Sequence, residues 1–136
     1  MAYKIAVNGY GRIGRCVVRA LYESQAYREQ LCLVAINEAW HPDTVFHLTR
    51  FDSTHGRFPK DVRKTARGMA IENDEIRLLQ EKNIGNLPWK DLKVDAVLDC
   101  TGIFNDRPAA KQHILCGAAK VIYSHPGKDE MDATIV

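Results

Sequence analysis

Apolar residues in this chain fall into short runs broken by glycine or by polar clusters. The first run, residues 3–7, stops at Asn8-Gly9 and reads as a short strand. Residues 12–24 follow at helical spacing, with Ile13, Val17, Val18, Leu21 and Tyr22 on one face. Leu-Cys-Leu-Val-Ala-Ile at 31–36 is continuously apolar, as suits a strand covered on both faces of a parallel sheet. The opening 37 residues thus spell strand, glycine turn, helix, strand.

His41-Pro42-Asp43 opens a second helix over 42–50, with Pro42 in the first turn, where a missing N–H costs nothing. Asp52 to Arg57 reads as a polar loop. Residues 60–79 alternate loosely around Gly68 and Asn73-Asp74, which predicts short antiparallel strands inserted at one sheet edge. Leu87-Pro88-Trp89 is a loop. A buried strand is expected at 94–98, a helix at 108–116 closed by Gly117, and strands at 120–123 and from 133 to the last residue, 136. The sum is an α/β fold: a doubly wound parallel sheet with a small antiparallel edge insertion. A β-branched run at the last residues predicts a truncated chain, with residues 1–136 forming one domain and a partner domain absent.

Composition narrows the function classes. The chain is 46% apolar and 26% charged, which excludes a disordered tail. Its net charge of +2 comes from interspersed signs, so neither a nucleic-acid stripe nor a membrane anchor is expected. No apolar run reaches the length of a membrane span, and no signal peptide is visible, so a cytoplasmic protein is expected. Cys16, Cys32, Cys100 and Cys116 match neither a zinc spacing nor a CxxC pair and read as free, buried small hydrophobes. No metal site is expected.

The chemistry sits in Asn8-Gly9-Tyr10-Gly11-Arg12-Ile13-Gly14, which fits G-x-G-x-x-G between a strand and a helix. Gly9 permits the tight turn, Gly11 lets a pyrophosphate approach the backbone, and Gly14 lets helix and strand pack closely. The helix start then aims its free N–H groups at phosphate. Glu38, directly after the second strand, is placed to accept ribose hydroxyls and to repel a 2′-phosphate. At about 4 Å and an effective dielectric near 20, that repulsion is on the order of 4 kcal/mol per unit charge. NAD is therefore expected in preference to NADP. A glycine turn that merely packs, and an ordinary exposed acid at 38, are the plain alternatives.

These residues closely resemble the glyceraldehyde-3-phosphate dehydrogenase family. Ala35-Ile36-Asn37-Glu38, Phe51-Asp52-Ser53-Thr54-His55-Gly56-Arg57-Phe58, Leu87-Pro88-Trp89, Cys100-Thr101-Gly102-Ile103-Phe104 and Gly117-Ala118-Ala119-Lys120-Val121-Ile122 continue the resemblance in order and spacing. Asn37-Glu38, and Ser124-His125-Pro126-Gly127 followed by Asp132-Ala133-Thr134-Ile135-Val136, are similar to the branch that oxidises erythrose 4-phosphate. The resemblance implies a Rossmann-type NAD-binding domain, a homotetrameric parent and a small-molecule substrate held through the missing domain. It also implies a cysteine thiohemiacetal mechanism that yields 4-phosphoerythronate, early in pyridoxine phosphate biosynthesis. The Ser-Cys-Thr-Thr-Asn setting of the family's nucleophile does not occur in these residues, so no catalytic residue is assigned and the chain alone is expected to be inactive.

Carried over position by position, the resemblance places Arg12 beside the pyrophosphate, Ile13 against nicotinamide and Glu38 on ribose. Lys82 falls where the family has an arginine near adenine. Thr101, Gly102 and Phe104 border the adenosine half, and Ser124 lies near the nicotinamide amide. Cys100 reads as a core thiol rather than a nucleophile, and His55 as a loop-ordering residue rather than a base. Trp40 and Trp89 read as packing residues, while His125 is left as either a nicotinamide neighbour or a turn residue. Three functions remain: the NAD-binding half of an erythrose-4-phosphate dehydrogenase, the same half of a glycolytic glyceraldehyde-3-phosphate dehydrogenase, or a stand-alone NAD-binding module.

Overall fold

The computed structural model describes residues 2–52, 56–127 and 131–133. Strand β1 (Tyr3–Asn8) leads through the glycine turn into helix α1 (Arg12–Glu23), a short helix α2 (Gln25–Gln30) and strand β2 (Leu31–Asn37). Helix α3 (Pro42–Arg50) follows with the expected bounds. Next come β3 (Phe51–Asp52), β4 (Gly56–Arg57), β5 (Val62–Thr65), β6 (Gly68–Ile71) and β7 (Asp74–Leu79). A 3-10 turn (Ile84–Asn86), β8 (Ala96–Asp99), α4 (Arg107–Leu115) and β9 (Lys120–Tyr123) complete the described elements.

The main sheet runs β5-β6-β7-β2-β1-β8-β9. β7, β2, β1, β8 and β9 are mutually parallel, and the β5–β6 hairpin extends the β7 edge antiparallel. From β1 the chain builds outward to β2 and β7, then crosses back to place β8 on the other side of β1. The switch point of this doubly wound sheet therefore lies between β1 and β8, where such sheets take up ligands beyond the strand carboxyl ends.

Side chains alternate across β1. Ile5 and Val7 join Val18, Leu21, Tyr22, Val45 and Met69 on one face. Ala6 joins Trp89, Val94, Val97 and Ala109 on the other. A register irregularity at Ile5/Ala6 lets Leu33 and Ile36 share a face and brings Asn8 opposite Asn37. Among the described residues, no helix is long and apolar enough to cross a membrane.

Several expectations change. The last strand of residues 60–79 is not only an antiparallel insert. β7 pairs parallel with β2 and is a full member of the central sheet. The loop from Asp52 to Arg57 closes into a two-stranded ladder, Phe51 opposite Arg57 and Asp52 opposite Gly56. The fourth apolar run forms strand only from Ala96. Val94 N–H still bonds Trp89 C=O at 3.0 Å, closing the turn before it.

Helix α2 had no apolar period to announce it. Ser24 caps it by accepting from Tyr27 N–H at 3.2 Å, and Arg28 pins it to Glu72 at 2.6 Å. The four cysteines are free but only half-buried. Of the strand expected from 133 onward, Ala133 lies outside any regular element and the rest falls outside the described residues, as does His55.

Candidate functional site

The turn after β1 is built around its glycines. Gly9 has φ +93°, which an L side chain rarely adopts, and its N–H bonds Asn37 C=O at 2.9 Å. A Cβ at Gly14 would lie 2.3 Å from Gly9 carbonyl oxygen, so only glycine lets α1 sit this close to the turn. A Cβ at Gly11 would meet nothing within 4 Å. The backbone there faces open space.

Tyr10, between the first two glycines, points the other way. It is buried, its hydroxyl lies 2.7 Å from Thr49 Oγ1 on α3, and burial pushes its phenol up to about 12. Arg15 donates to Tyr10 C=O at 3.2 Å. The turn is thereby fastened from below while its upper side stays bare.

Helix α1 begins at Arg12 with no side-chain cap and no acid in its first turn. The other described helices each carry a side-chain cap, from Ser24, His41 and Asp106. The first N–H groups of a helix have no intrahelical acceptor. On α1 they remain for an anion, with the positive end of the helix dipole behind them. Arg12 and Ile13 lie exposed on this first turn, and Ile13 keeps 52% of its surface open.

The other expected residues end the neighbouring parallel strands. Glu38 follows β2 half-buried, its N–H fixed to Leu79 C=O at 2.9 Å. Lys82 is exposed in the loop after β7. That loop is held because Asn37 donates to Glu81 C=O and accepts from Glu81 N–H, both at 2.8 Å.

Thr101 follows β8, and its hydroxyl accepts from Ile103 N–H at 3.3 Å and Phe104 N–H at 3.4 Å. Gly102 is exposed on this turn at φ +76°. Phe104 is half-buried against the Trp89 cluster. Ser124 follows β9, exposed, its N–H bonded to Asp99 C=O at 3.1 Å. Every candidate thus stands on the carboxyl-end rim of the parallel sheet or on the turn that starts there.

Beneath that rim lies a buried polar row which the sequence patterns did not single out. Strand register puts Asn8 opposite both Asn37 and Asp99. Asn37 donates to Asn8 Oδ1 at 2.8 Å, and Asn8 donates to Asp99 Oδ2 at 3.1 Å. Asp99 also receives Thr101 N–H at 3.1 Å, Thr101 Oγ–H at 2.7 Å and His113 Nε2 at 3.1 Å. Trp89 Nε1 reaches His113 Nδ1 at 3.0 Å. Burial alone would raise the Asp99 carboxyl, but bonds from His113, Thr101 and Asn8 outweigh it and hold it below the usual carboxylate range. The available signal was a polar residue closing each of three otherwise apolar strands.

Trp89 is fully buried, whereas Trp40 keeps 40% exposure and is not part of either core. Cys100 is half-buried, and its thiol is pushed up by burial, with Ser124 opposing. That is unsuited to a nucleophile. His125 packs its ring 5.8 Å from Tyr123. A cavity of about 380 Å³ lined by Arg50, Arg57, Phe58 and Lys60 contains none of the rim residues.

A protein-family model described as glyceraldehyde 3-phosphate dehydrogenase, NAD binding domain, matches residues 3–107. The chain belongs to that family. It is an NAD-binding domain of the Rossmann type, and its family is one of NAD-dependent oxidoreductases. The dinucleotide suits the observed donor set. The bare amides of α1 and the open backbone at Gly11 fit a diphosphate, and Glu38 comes directly after β2, the strand paired with β1, in the sequence position of a ribose-binding acid.

Proposed function

We propose that this chain is the NAD-binding half of a cytoplasmic dehydrogenase that oxidises D-erythrose 4-phosphate, its catalytic half being supplied from outside these residues. The observation that carries the binding mode is the uncapped start of α1 beside the open backbone at Gly11. Arg12 to Gly14 would hold the diphosphate, Glu38 the adenosine ribose, and Lys82 with Thr101, Gly102 and Phe104 the adenine side. Asn8 stands under the turn, and Ile13 and Ser124 face the nicotinamide side. Bound NAD supplies the hydride acceptor. The aldehyde would be held as a cysteine thiohemiacetal by the other half, and water would release 4-phosphoerythronate from the resulting thioester, feeding pyridoxine phosphate synthesis. The parent would be a homotetramer acting on this small molecule, without nucleic-acid or membrane partners.

The erythrose assignment is supported by Asn37-Glu38 and by Ser124-His125-Pro126-Gly127. The test is an NAD-reduction assay of the parent enzyme on both aldehydes. Higher kcat/KM on erythrose 4-phosphate is expected; a preference for glyceraldehyde 3-phosphate overturns the substrate and favours the glycolytic alternative. No turnover on either aldehyde favours a binding module.

A further inference from the structure

Glu38 and the glycine turn are surface features of the site. What holds them in mutual register is the polar row beneath, and that row has a direction. An indole N–H can only donate. Trp89 Nε1, 3.0 Å from His113 Nδ1, therefore forces that nitrogen to be the acceptor. The imidazole proton must sit on Nε2, which then donates to Asp99 Oδ2. Asn8 Nδ2 and both donors of Thr101 also point at this carboxylate. An ionised carboxylate offers about four lone-pair sites, so four donors saturate it. Asp99 and His113 are both fully buried, and no water-facing arrangement competes.

We propose that Asp99 is a positioning residue of the dinucleotide site: it presents the Thr101 turn and the Asn8 end of β1 to the cofactor, with its polarity fixed by the Trp89–His113 pair. This inference rests on the cofactor placement proposed above. Asp99 itself lies under the rim. It acts through Thr101, whose hydroxyl donates to the carboxylate and accepts the Ile103 and Phe104 amides. It also acts through Asn8, whose Oδ1 in turn takes Asn37, the residue that anchors the Lys82 loop. One buried charge thus ties together three of the strand ends that form the rim.

The donor direction supplies an unusual test. In Asp99→Asn an NH2 group at the Oδ2 position faces the N–H donors of Asn8 and His113, whereas at Oδ1 it faces the N–H and the hydroxyl of Thr101, so either orientation opposes at least one donor of the row. His113 cannot relieve the conflict by moving its proton, because Trp89 occupies Nδ1. Trp89→Phe frees that nitrogen, so in the double variant the ring can carry its proton on Nδ1 and accept from the new amide through Nε2.

The experiment uses the 136-residue chain. The imidazole 15N shifts of His113 report its tautomer, calorimetric titration with NAD reports affinity, and thermal unfolding reports stability. In the unsubstituted chain the Nε2–H form is expected. D99N should weaken NAD by about tenfold at a temperature where it is fully folded. D99N/W89F should show the Nδ1–H form and bind NAD more tightly than D99N, although losing the indole makes it less stable. A merely structural role makes affinity follow stability, so a double variant that binds no better than D99N overturns the proposal, as does an Nδ1–H ring in the unsubstituted chain.

Should D99N not fold, His113→Phe withdraws one donor from Asp99 without touching the rim. A loss of about fivefold in NAD affinity is then expected, and unchanged affinity overturns the proposal. Amide shifts on adding NAD separate the two layers of the argument. If Gly9–Gly14 and Thr101–Phe104 do not respond, the cofactor placement has failed. If they respond but D99N and H113F bind NAD normally, only the positioning role has failed.

Discussion

A methyl group added at Gly11 and one added at Gly14 enter opposite surroundings only three residues apart. At Gly14 the new carbon would lie 2.3 Å from the Gly9 carbonyl oxygen. That is about 1 Å short of an ordinary C···O contact. The obstacle is backbone, with Val7 Cγ1 also 3.4 Å away, so α1 must back away from the turn. Overpacking of this kind costs about 1–3 kcal/mol, and the rigid neighbour argues for the upper end. For a domain of this size the melting temperature should fall by on the order of 10 °C.

At Gly11 the methyl meets nothing, and φ −73° with ψ −159° suits alanine. Alanine is a poorer N-cap than glycine, but it also lowers the entropy of the unfolded chain. The two effects oppose each other and leave stability within about 1 kcal/mol. The cost falls on the ligand. A methyl over the amides displaces one phosphate contact, and charge-assisted bonds of this type are worth about 1.5–3 kcal/mol, or on the order of ten- to a hundredfold in Kd. Thermal unfolding and calorimetric titration with NAD, run on Gly11→Ala and Gly14→Ala together, check both halves. Wild-type NAD affinity in G11A, or wild-type stability in G14A, refutes the reasoning.

Three further outcomes follow from the same geometry. Glu38→Ala should narrow the preference for NAD over NADP, since it removes the charge that repels a 2′-phosphate; equal affinities in the unsubstituted chain would remove Glu38 from the site. Asp99 is held below its unfolded value, so its stabilisation is full above about pH 4 and is lost as pH falls through the lowered value. Urea unfolding from pH 5 downward should show that slope, and stability independent of pH in this range contradicts an ionised Asp99. Tyr10→Phe should cost about 1 kcal/mol in urea unfolding, because Thr49 keeps its bond to Val45 C=O and no buried group is orphaned. A loss several times larger would show that the hydroxyl does more than fasten the turn.

Much of the fold was legible because burial imposes a period on the sequence. Val18, Leu21 and Tyr22 repeat at helical spacing and announce α1; residues 31–36 are apolar throughout because both faces are covered. Helix α2 shows no such period, since a cap and an ion pair to Glu72 hold it rather than a buried stripe. The local pattern predicts an antiparallel β7 because its neighbour in sequence, β6, pairs with it antiparallel; its parallel partner β2 is distant in the chain. The glycine turn and the position of Glu38 directly after β2 are legible from spacing alone. The Asp99 row was not, because Asn8, Asn37, Asp99, Trp89 and His113 are scattered along the chain and meet only through strand register and the packing of α4. Tyr10 occupies a variable position of the G-x-G-x-x-G pattern, which carries no signal of its reach to Thr49 on the underside of the turn.

The uncapped start of α1 means that the polypeptide leaves the completion of this helix to solute. Any small oxyanion able to lodge against those amides joins the folded-state equilibrium by mass action, raising thermal resistance while competing with the dinucleotide. Phosphate and pyrophosphate buffers should therefore both protect this domain and mask its affinity for NAD, and the two effects should rise together with anion concentration.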